Sequence, residues 1–379
     1  MQRSEGLTSH TGALFLPPRD DHGPVGTPTD RDAIKDRVAS IVAKQAEIGI
    51  DVVNNGDLTV GAGLEMHRAF DGIEAVPIDE GYGIARGIPD ADMETYAEYY
   101  EAYGLFPNPE NPLGGSRPER TDAEVCRGPV ATGSTEPIEW DAQTLTEAAR
   151  GQDVQELFLT FLGPGWMSRF IYDEHYGDEQ ALIDALAEAT RPFYRAIVDA
   201  GHILQIDAPD IVDAWTWDRW TDLTAYRKDL ERRLDALRGA VEGIPEDRIR
   251  LHLCWGSWHG PHTGALPLGE VIDLILRFPA QCYSIEAAKP NHTHEWRVFA
   301  DHPLPDGRIV MPGVIDHTTT IVEHPQVIAD RIVSYAKVVG AENVIAGTDC
   351  GMRTDSRVEW AKLEAMVRGA ELASAELFG

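Results

Sequence analysis

Residues 249–256 read IRLHLCWG, a short run of aliphatic and β-branched side chains that ends in a glycine. Such a run, bounded by a turn residue, is typical of a buried strand. More runs of this kind lie along the chain, at residues 7–14, 50–57, 157–164, 202–210, 281–288, 308–316 and 343–351. Because helix-like stretches separate most of them, the alternation predicts an α/β fold of the (β/α)8 type, a TIM barrel.

The helical stretches show apolar residues that recur with the 3.6-residue period of an α-helix. They lie at residues 31–48, 178–200, 226–241, 268–277, 325–339 and 357–375. No internal repeat or long linker divides the sequence, so we expect residues 1–379 to form a single domain.

Residues 65–140 do not fit a minimal barrel and are interpreted as an insertion after the second strand. Residues 65–120 are rich in Tyr, Glu, Pro and Gly, and we expect this long excursion to cover one mouth of the barrel as a lid. The stretch EVCRGPVATGSTEPIEW at residues 124–140 is interpreted as an extra hairpin with a glycine-containing turn.

The chain is strongly acidic, with 63 Asp and Glu against 33 Lys and Arg and a formal net charge of -30 over 379 residues. This charge repels phosphate backbones and anionic lipids, so we expect no nucleic-acid and no membrane partner. No apolar run reaches the roughly 20 residues of a membrane span, and the start lacks a signal-peptide pattern, which predicts a cytoplasmic protein. These observations leave a homo-oligomer open.

Chemistry in a barrel collects at the rim where the strands end. His252 and Cys254 are two residues apart at the end of one predicted strand and therefore share a face. Imidazole and thiolate suit a zinc ion, which needs one or two more ligands from neighbouring strands. Glu286 and Cys350 end later predicted strands and are expected at the same rim. Alone, His-x-Cys is weak evidence, because a packed cysteine beside a hydrogen-bonded histidine gives the same pattern.

The motifs QIDAPD, HLCW, YSIEAA, MPGVID and GTDCGMRT occur in this order along the chain. As a set they resemble the C-terminal catalytic barrel of cobalamin-independent methionine synthase and its shorter single-barrel relatives, which include the epoxyalkane:coenzyme M transferases. The resemblance implies a (β/α)8 barrel, a bound Zn2+ and alkyl transfer to a thiol substrate that itself joins the metal. It assigns the zinc to His252, Cys254, Glu286 and Cys350.

The same resemblance implies a substrate site. In that family the acidic residue of the QID strand binds the amino group of the thiol amino acid, and this role falls here on Asp207. The early turn that holds the substrate carboxylate corresponds to HTGA, with His10, Thr11 and Gly12. The second-strand motif of the family corresponds to NNGD, which makes Asp57 a further candidate.

The family's proton-donating histidine corresponds to Thr318 in this sequence, and His317 lies one position earlier. His317, His259 and His262 are therefore the candidates to protonate the leaving atom. Each of them is alternatively an exposed loop or helix-capping histidine. Trp255 directly follows a predicted ligand and is expected either to wall the substrate pocket or to pack behind the metal site.

Two other pairs are interpreted as structural. Cys126 and Cys282 have no histidine nearby in the sequence and are expected to be buried small residues. His292 and His294 would suit a second metal, but a solvated loop after the preceding strand is the expected setting.

These features predict a zinc-dependent thiol S-alkyltransferase whose partners are a small-molecule thiol and an alkyl donor. Methyl transfer to homocysteine, as in methionine biosynthesis, is the leading hypothesis. Opening of an epoxide by coenzyme M is the alternative. A zinc hydrolase is disfavoured because two thiolate ligands weaken the Lewis acidity that acidifies water. A structural zinc that only joins strands is a further alternative.

Overall fold

The computed structural model describes residues 7–14, 31–57, 66–78, 82, 90–102, 122–352 and 356–379. The strands in this part of the chain are β1 (Val52–Val53), β2 (Phe70–Pro77), β3 (Asp122–Thr132), β4 (Glu156–Leu162), β5 (Ile171–Asp173), β6 (Ile203–Asp207), β7 (Ile249–Leu253), β8 (Cys282–Ile285), β9 (Ile309–Ile315) and β10 (Gly347–Thr348). Within the described ranges, seven of them form a curled parallel sheet in the order β1-β4-β6-β7-β8-β9-β10. The α/β fold with a parallel sheet is therefore as predicted.

The predicted first strand, residues 7–14, is not a regular strand but bridges the two ends of this sheet. The Val52 N–H of β1 donates to the Thr8 carbonyl at 3.1 Å. On the other side, Ala346 N–H donates to Leu7 O at 3.0 Å and Ser9 N–H donates to Ala346 O at 2.9 Å. Both outer edges of the sheet are thus hydrogen-bonded to the same short segment.

A buried arginine on β7 binds the segment at residues 7–14. Arg250 on β7 is fully buried, and its guanidinium donates to Ser9 Oγ at 2.9 Å and to His10 O at 3.2 Å. The guanidinium also lies 3.9 Å from the centroid of the Phe158 ring, a cation–π contact. A buried cation must be compensated, so these bonds hold residues 9 and 10 against the interior face of the sheet.

The helices follow the strands as the periodicity predicts. They are α1 (Arg31–Ile48), α2 (Asp90–Thr95), α3 (Ala97–Ala102), α4 (Glu136–Ala148), α5 (Pro164–Ser168), α6 (Glu179–Asp199), α7 (Asp210–Trp217), α8 (Leu223–Ala240), α9 (Ile272–Ile275), α10 (Val298–Asp301), α11 (Pro325–Val339) and α12 (Ser356–Phe378). The predicted bounds of α1 and α11 are confirmed, whereas the stretch predicted as helix 268–277 is a 3-10 turn followed by the short α9. In the described part of the chain, no helix has the length and apolarity needed to cross a membrane.

The hairpin predicted at residues 124–140 is wrong. Residues 122–132 form the single strand β3, which pairs antiparallel with β2 and parallel with β5 in a separate three-stranded sheet within the described residues. Gly128 and Pro129 do not turn the chain. The pairing of β3 with β2 shifts its register at Gly72, and the two residues fit into β3 at this irregularity. Gly72 has φ +87°, and a Cβ there would collide with the Pro129 carbonyl.

The described part of the predicted lid region lies against the loop that follows β7. Tyr100 of α3 packs on Trp258, and both side chains hydrogen-bond to the Asp92 carboxylate. The Tyr96 hydroxyl donates to Thr263 Oγ1 at 2.9 Å. Residues 65, 79–81, 83–89 and 103–120 of this region lie outside the described residues. Helices α2 and α3 therefore cover the loop that begins at Cys254.

Candidate metal centre

Three of the four residues predicted to bind metal come together at the carboxyl ends of the strands. The ligand atoms of His252, Cys254 and Cys350 all lie within 4.8 Å of one another. His252 is the fourth residue of β7, Cys254 directly follows β7, and Cys350 lies two residues beyond β10. The carboxyl ends of parallel strands meet at one rim, which explains how residues almost a hundred positions apart become neighbours.

The imidazole of His252 is oriented for a metal. Its Nδ1 lies 3.0 Å from Ser284 Oγ on the adjacent strand β8. The other nitrogen, Nε2, is buried and has no hydrogen-bond partner among the described residues. Burial alone would lower the pKa of His252, but the neighbouring Cys350 sulfur, Asp207 and Glu286 outweigh it and raise that pKa. A buried imidazole with one nitrogen engaged and one left over is the usual arrangement of a metal-binding histidine.

The sulfur atoms of the two cysteines lie within 4.8 Å of each other. The interaction with Cys254 holds the pKa of Cys350 well below its usual value. The interaction with Cys350, together with burial, raises the pKa of Cys254. The backbone N–H of Gly256 points at the Cys254 sulfur at 3.3 Å. One imidazole nitrogen and two cysteine sulfurs form a donor set that fits zinc.

The predicted fourth ligand, Glu286, lies beside this group. Its fully buried carboxylate accepts the Trp255 N–H at Oε1, 3.1 Å away, and pairs with Lys289 Nζ at Oε2, 2.9 Å away. Burial would raise the pKa of Glu286, but Lys289 and the nearby histidines keep it below the usual value. The sequence interpretation included Glu286 but not Lys289, whose only sequence signal is its place three residues later.

Asp349 is a second residue that the sequence interpretation missed. Its carboxylate accepts the N–H groups of Ala287 at 2.7 Å, Ala288 at 2.8 Å and Lys289 at 3.0 Å. Burial, and the charge of Glu286, raise the pKa of Asp349 to about 7. The residue before Cys350 therefore holds the loop that follows Glu286.

Asp207, the predicted amino-group ligand, ends β6 directly beside His252 in the sheet register. Its Oδ1 accepts a hydrogen bond from Gln205 Nε2 at 2.8 Å. Burial raises the pKa of Asp207 to about 6, and the nearby Cys350 sulfur adds to this rise. This carboxylate is thus next to the imidazole and sulfur atoms.

The residues predicted to hold a substrate carboxylate form a tightly bonded turn. Both ring nitrogens of His10 are engaged, Nε2 with Gln45 Oε1 at 2.7 Å and Nδ1 with the Gly12 N–H at 3.2 Å. Burial lowers the pKa of His10 to about 3. The Thr11 hydroxyl lies 2.9 Å from Thr348 Oγ1 on β10. His10 therefore supports the turn, and the backbone N–H groups of Thr11 and Gly12 are bonded within the protein, to Thr348 Oγ1 at 3.1 Å and to His10 Nδ1.

Asp57 and Trp255, the other two candidates for substrate binding, have different contacts. The Asp57 carboxylate lies against Gly12, where a Cβ would collide with it, and accepts a hydrogen bond from Asn54 Nδ2 at 2.9 Å. Trp255 is buried, its indole N–H donates to Leu266 O at 2.7 Å, and its ring packs on His292. The Trp255 side chain therefore packs behind the site, while its backbone N–H binds Glu286.

The three candidate proton donors lie in different surroundings. His317 is buried at the end of β9, with a ring nitrogen within 4.8 Å of Asp316 and Asp349 carboxylate oxygens. Burial lowers the pKa of His317, although the nearby Cys350 sulfur opposes this. His259 is exposed and contacts the Thr318 carbonyl at 3.3 Å.

The third candidate, His262, is held by Trp258. It stacks on Trp258 with ring centroids 3.7 Å apart and hydrogen-bonds through Nε2 to the Trp258 carbonyl. Burial lowers its pKa to about 4. Of the three candidates, His317 is the one that lies close to Asp349, the residue directly before Cys350.

The two pairs interpreted as structural have different outcomes. Cys126 and Cys282 are fully buried, as predicted. The solvated-loop interpretation is wrong for His292, which is buried and bonded through Nδ1 to Glu295 Oε2 at 2.9 Å. Glu295 in turn accepts the Leu268 N–H, so the bonded His292 and Glu295 connect the segment after β8 to the segment that contains Leu268.

Fold and site together define an α/β protein with a parallel sheet that carries an imidazole and two thiols at the carboxyl ends of its strands. Residues 138–372 match the family described as the catalytic domain of cobalamin-independent synthase. The chain belongs to this family, and the resemblance seen in the motifs is confirmed.

The similar proteins include enzymes with two different names. Over 384 aligned residues the chain is 26% identical to a 2-hydroxypropyl-CoM lyase of Xanthobacter autotrophicus, covering 92% of this chain and 87% of the relative. It is 27% identical over 225 residues to a methionine synthase of Saccharolobus islandicus, covering 58% of this chain and 59% of that protein. A solved B12-independent methionine synthase from Shewanella sp. W3-18-1 superposes with a TM-score of 0.70 at 20% identity, over 99% of both chains, which shows the shared fold.

Proposed function

We propose that this protein is a zinc-dependent thiol S-alkyltransferase and that its leading reaction is methyl transfer to homocysteine. The observation that carries the proposal is the buried convergence of His252, Cys254 and Cys350, with ligand atoms within 4.8 Å of one another. Family membership supports it, because the family is that of a synthase catalytic domain. We also propose that residues 1–379 form one domain and that the segment at residues 7–9, bonded to both sheet edges, completes an eight-stranded barrel.

Zinc bound by His252, Cys254, Cys350 and Glu286 would lower the pKa of a substrate thiol, so that its sulfur is ionised and nucleophilic at neutral pH. Cysteine sulfurs donate electron density, so this donor set favours attack on carbon over activation of water. Glu286 is the oxygen donor of the four and would be the ligand that gives way to the thiol.

The chain's own residues perform the remaining tasks. Asp207 is placed next to His252 and would bind the ammonium group of an amino thiol, which in turn would stabilise its ionised form. His317 is buried next to the cysteine pair and would deliver a proton to the atom that leaves carbon. The turn at residues 10–12 would bind the substrate carboxylate by exchanging the present bonds of the Thr11 and Gly12 N–H groups, to Thr348 and His10, for bonds to the substrate.

Epoxide opening by coenzyme M is the second candidate. It is favoured by one observation, the alignment with the 2-hydroxypropyl-CoM lyase over 92% of this chain. Coenzyme M carries a sulfonate where homocysteine carries an ammonium and a carboxylate. The carboxylate of Asp207 would repel a sulfonate, and for this reason homocysteine is the leading substrate.

The test measures zinc-edge spectra of the zinc-loaded protein with homocysteine and, separately, with coenzyme M. The proposal expects one additional sulfur neighbour with homocysteine, and a methylated product when a methyl donor is supplied. An added sulfur neighbour only with coenzyme M, together with ring opening of epoxypropane, would establish the second candidate. If neither thiol changes the spectrum, the alkyltransferase proposal is wrong.

A matched pair of variants tests the role of Asp207. Asp207→Asn removes the charge beside His252 but keeps the shape, and should weaken homocysteine binding at least about tenfold without changing zinc content. Asp210→Asn removes a buried carboxylate three residues later, on α7, which pairs with Arg233 instead. It should leave homocysteine binding unchanged.

A further inference from the structure

Lys289 is a buried cation directly beside the candidate metal centre. Its side chain is 3% exposed, and its Nζ lies 2.9 Å from Glu286 Oε2, on a glutamate that is 0% exposed. The ammonium also donates to the Gly256 carbonyl. Gly256 in turn points its N–H at the Cys254 sulfur, so Lys289 contacts both loops that carry metal-binding candidates.

The position of Lys289 is fixed from both ends. Its backbone N–H donates to Asp349 Oδ2 at 3.0 Å, and the carboxylate of Asp349 also holds the two preceding residues. The Lys289 ammonium is also bonded to the Gly256 carbonyl, so it keeps a partner if the Glu286 carboxylate moves. A movement of Glu286 toward the cysteine sulfurs would change its distance from this positive charge.

A buried carboxylate needs a partner wherever it lies, because an unpaired buried charge is strongly unfavourable. Glu286 has one such partner in contact, the ammonium of Lys289, and would have a second in a metal held by the neighbouring His252 and cysteines. The two partners would then compete for one carboxylate. This competition weakens Glu286 as a metal ligand relative to a glutamate with no cation beside it.

We propose that Lys289 is a positioning residue that makes Glu286 the exchangeable ligand of the metal centre, because it receives the carboxylate when a substrate thiol takes its place. The inference rests on the zinc role proposed above. The balance of charges supports this role of Lys289. The Glu286 carboxylate would be neutralised by the Lys289 ammonium, and the incoming thiolate would replace its negative charge at the metal.

The test replaces the cation with an apolar chain of similar length, Lys289→Met. Glu286 would then have the metal as its only cationic partner, so we expect zinc affinity, measured by competition with a chelator, to rise about tenfold. Homocysteine affinity should fall about tenfold, and the zinc-edge spectrum should gain no sulfur neighbour at thiol concentrations that saturate the wild type. Lys289→Arg keeps the charge and should restore exchange.

Arg233→Met is the matched control, because Arg233 is also a buried cation, paired with Asp229 at 2.8 Å and with Glu179 at 3.0 Å. It should lower stability without changing zinc or thiol affinity. If Lys289→Met does not fold, Lys289→Gln gives the same test, since it also removes the charge.

The outcomes separate this inference from the proposed function. If the wild-type protein binds zinc and gains a sulfur neighbour with thiol, but Lys289→Met behaves identically or binds zinc more weakly, the role of Lys289 is refuted and the proposed function stands. If the wild-type protein binds no zinc, the proposed function fails and this inference fails with it.

Discussion

Asp349 Oδ2 accepts the backbone N–H of Lys289 at 3.0 Å, so that the residue before Cys350 fixes the residue that pairs with Glu286. Two loops more than fifty residues apart in sequence are thereby held in one arrangement. The relationship makes Asp349 a determinant of the site although it is not proposed to touch the metal or the substrate.

Asp349→Asn should therefore damage both stability and metal binding. An asparagine offers one acceptor oxygen to three N–H groups and turns an NH2 group toward at least one of them, which leaves a buried donor unpaired. We expect a loss of about 2–3 kcal/mol in the free energy of unfolding by urea. Zinc affinity should fall roughly 10–100-fold, as for other residues that orient metal ligands.

The control for this variant is Asp173→Asn. Asp173 likewise accepts the backbone N–H groups of His175, Tyr176 and Gly177, but at the end of the small sheet. It should lose stability and keep the zinc affinity of the wild type. Equal zinc affinity in the two variants would show that Asp349 does not organise the site.

The convergence of His252, Cys254 and Cys350 could be predicted from sequence. Strand period decides which residues share a face, and the carboxyl ends of parallel strands meet at one rim. Both rules depend on regular elements, whose patterns are visible in a single sequence. The long helices α1 and α11 were predictable for the same reason.

The contacts of Lys289 and Asp349 could not be predicted in this way. They depend on the backbone path of the loop after β8, where no periodicity exists, and on hydrogen bonds between residues far apart in the chain. The error at residues 124–140 has a related cause. Gly128 and Pro129 look like a turn in the sequence, but Gly72 on the partner strand gives them room inside a strand.

Ser284→Ala should weaken metal binding with little effect on the fold. Ser284 Oγ lies 3.0 Å from His252 Nδ1, and without this contact the ring can rotate or change tautomer. We expect zinc affinity, measured by chelator competition, to fall roughly 10–100-fold. The free energy of unfolding should fall by about 1 kcal/mol.

Ser168→Ala provides the comparison, because Ser168 is also buried and its hydroxyl donates to the Gly165 carbonyl at 3.0 Å. It should show a similar loss of stability and no change in zinc affinity. The role of Ser284 would be refuted if both alanine variants bound zinc as tightly as the wild type.

Gly256→Ala should disturb the contact between the Cys254 loop and helices α2 and α3. Gly256 has φ +98°, and a Cβ there would overlap the Trp258 ring, which packs on Tyr100. The positive φ should cost about 1 kcal/mol, and displacement of the indole should add about 1–3 kcal/mol. Urea unfolding measures the sum, and Trp fluorescence reports the displaced ring.

Gly151→Ala isolates the backbone part of this cost. Gly151 has φ +79°, but a Cβ there would meet no atom within 4 Å. We expect this variant to lose about 1 kcal/mol and to keep the native fluorescence spectrum. If Gly256→Ala were no more destabilising than Gly151→Ala, Trp258 would not be fixed by Gly256.

Asp213→Asn should stabilise the protein above neutral pH. Asp213 is buried in the first turn of α7, and burial raises its pKa from 3.8 in the unfolded chain to about 7. A carboxyl group whose pKa is raised by folding favours the folded state fully only below the unfolded pKa, and this contribution is lost as pH rises through the folded pKa. Asparagine resembles the protonated acid, and Trp217 Nε1, 2.6 Å from Oδ2, still finds an acceptor.

The expected gain for Asp213→Asn follows from the size of the pKa change. A rise from 3.8 to about 7 corresponds to roughly 4 kcal/mol at about pH 8 and to almost nothing near pH 4. Urea unfolding of the chelator-treated protein at these two pH values measures the difference. The exposed Asp199→Asn at the end of α6 should change stability by only a few tenths of a kcal/mol at either pH. An effect of Asp213→Asn that is equal at both pH values would show that Asp213 is ionised throughout, with its charge compensated in the folded protein.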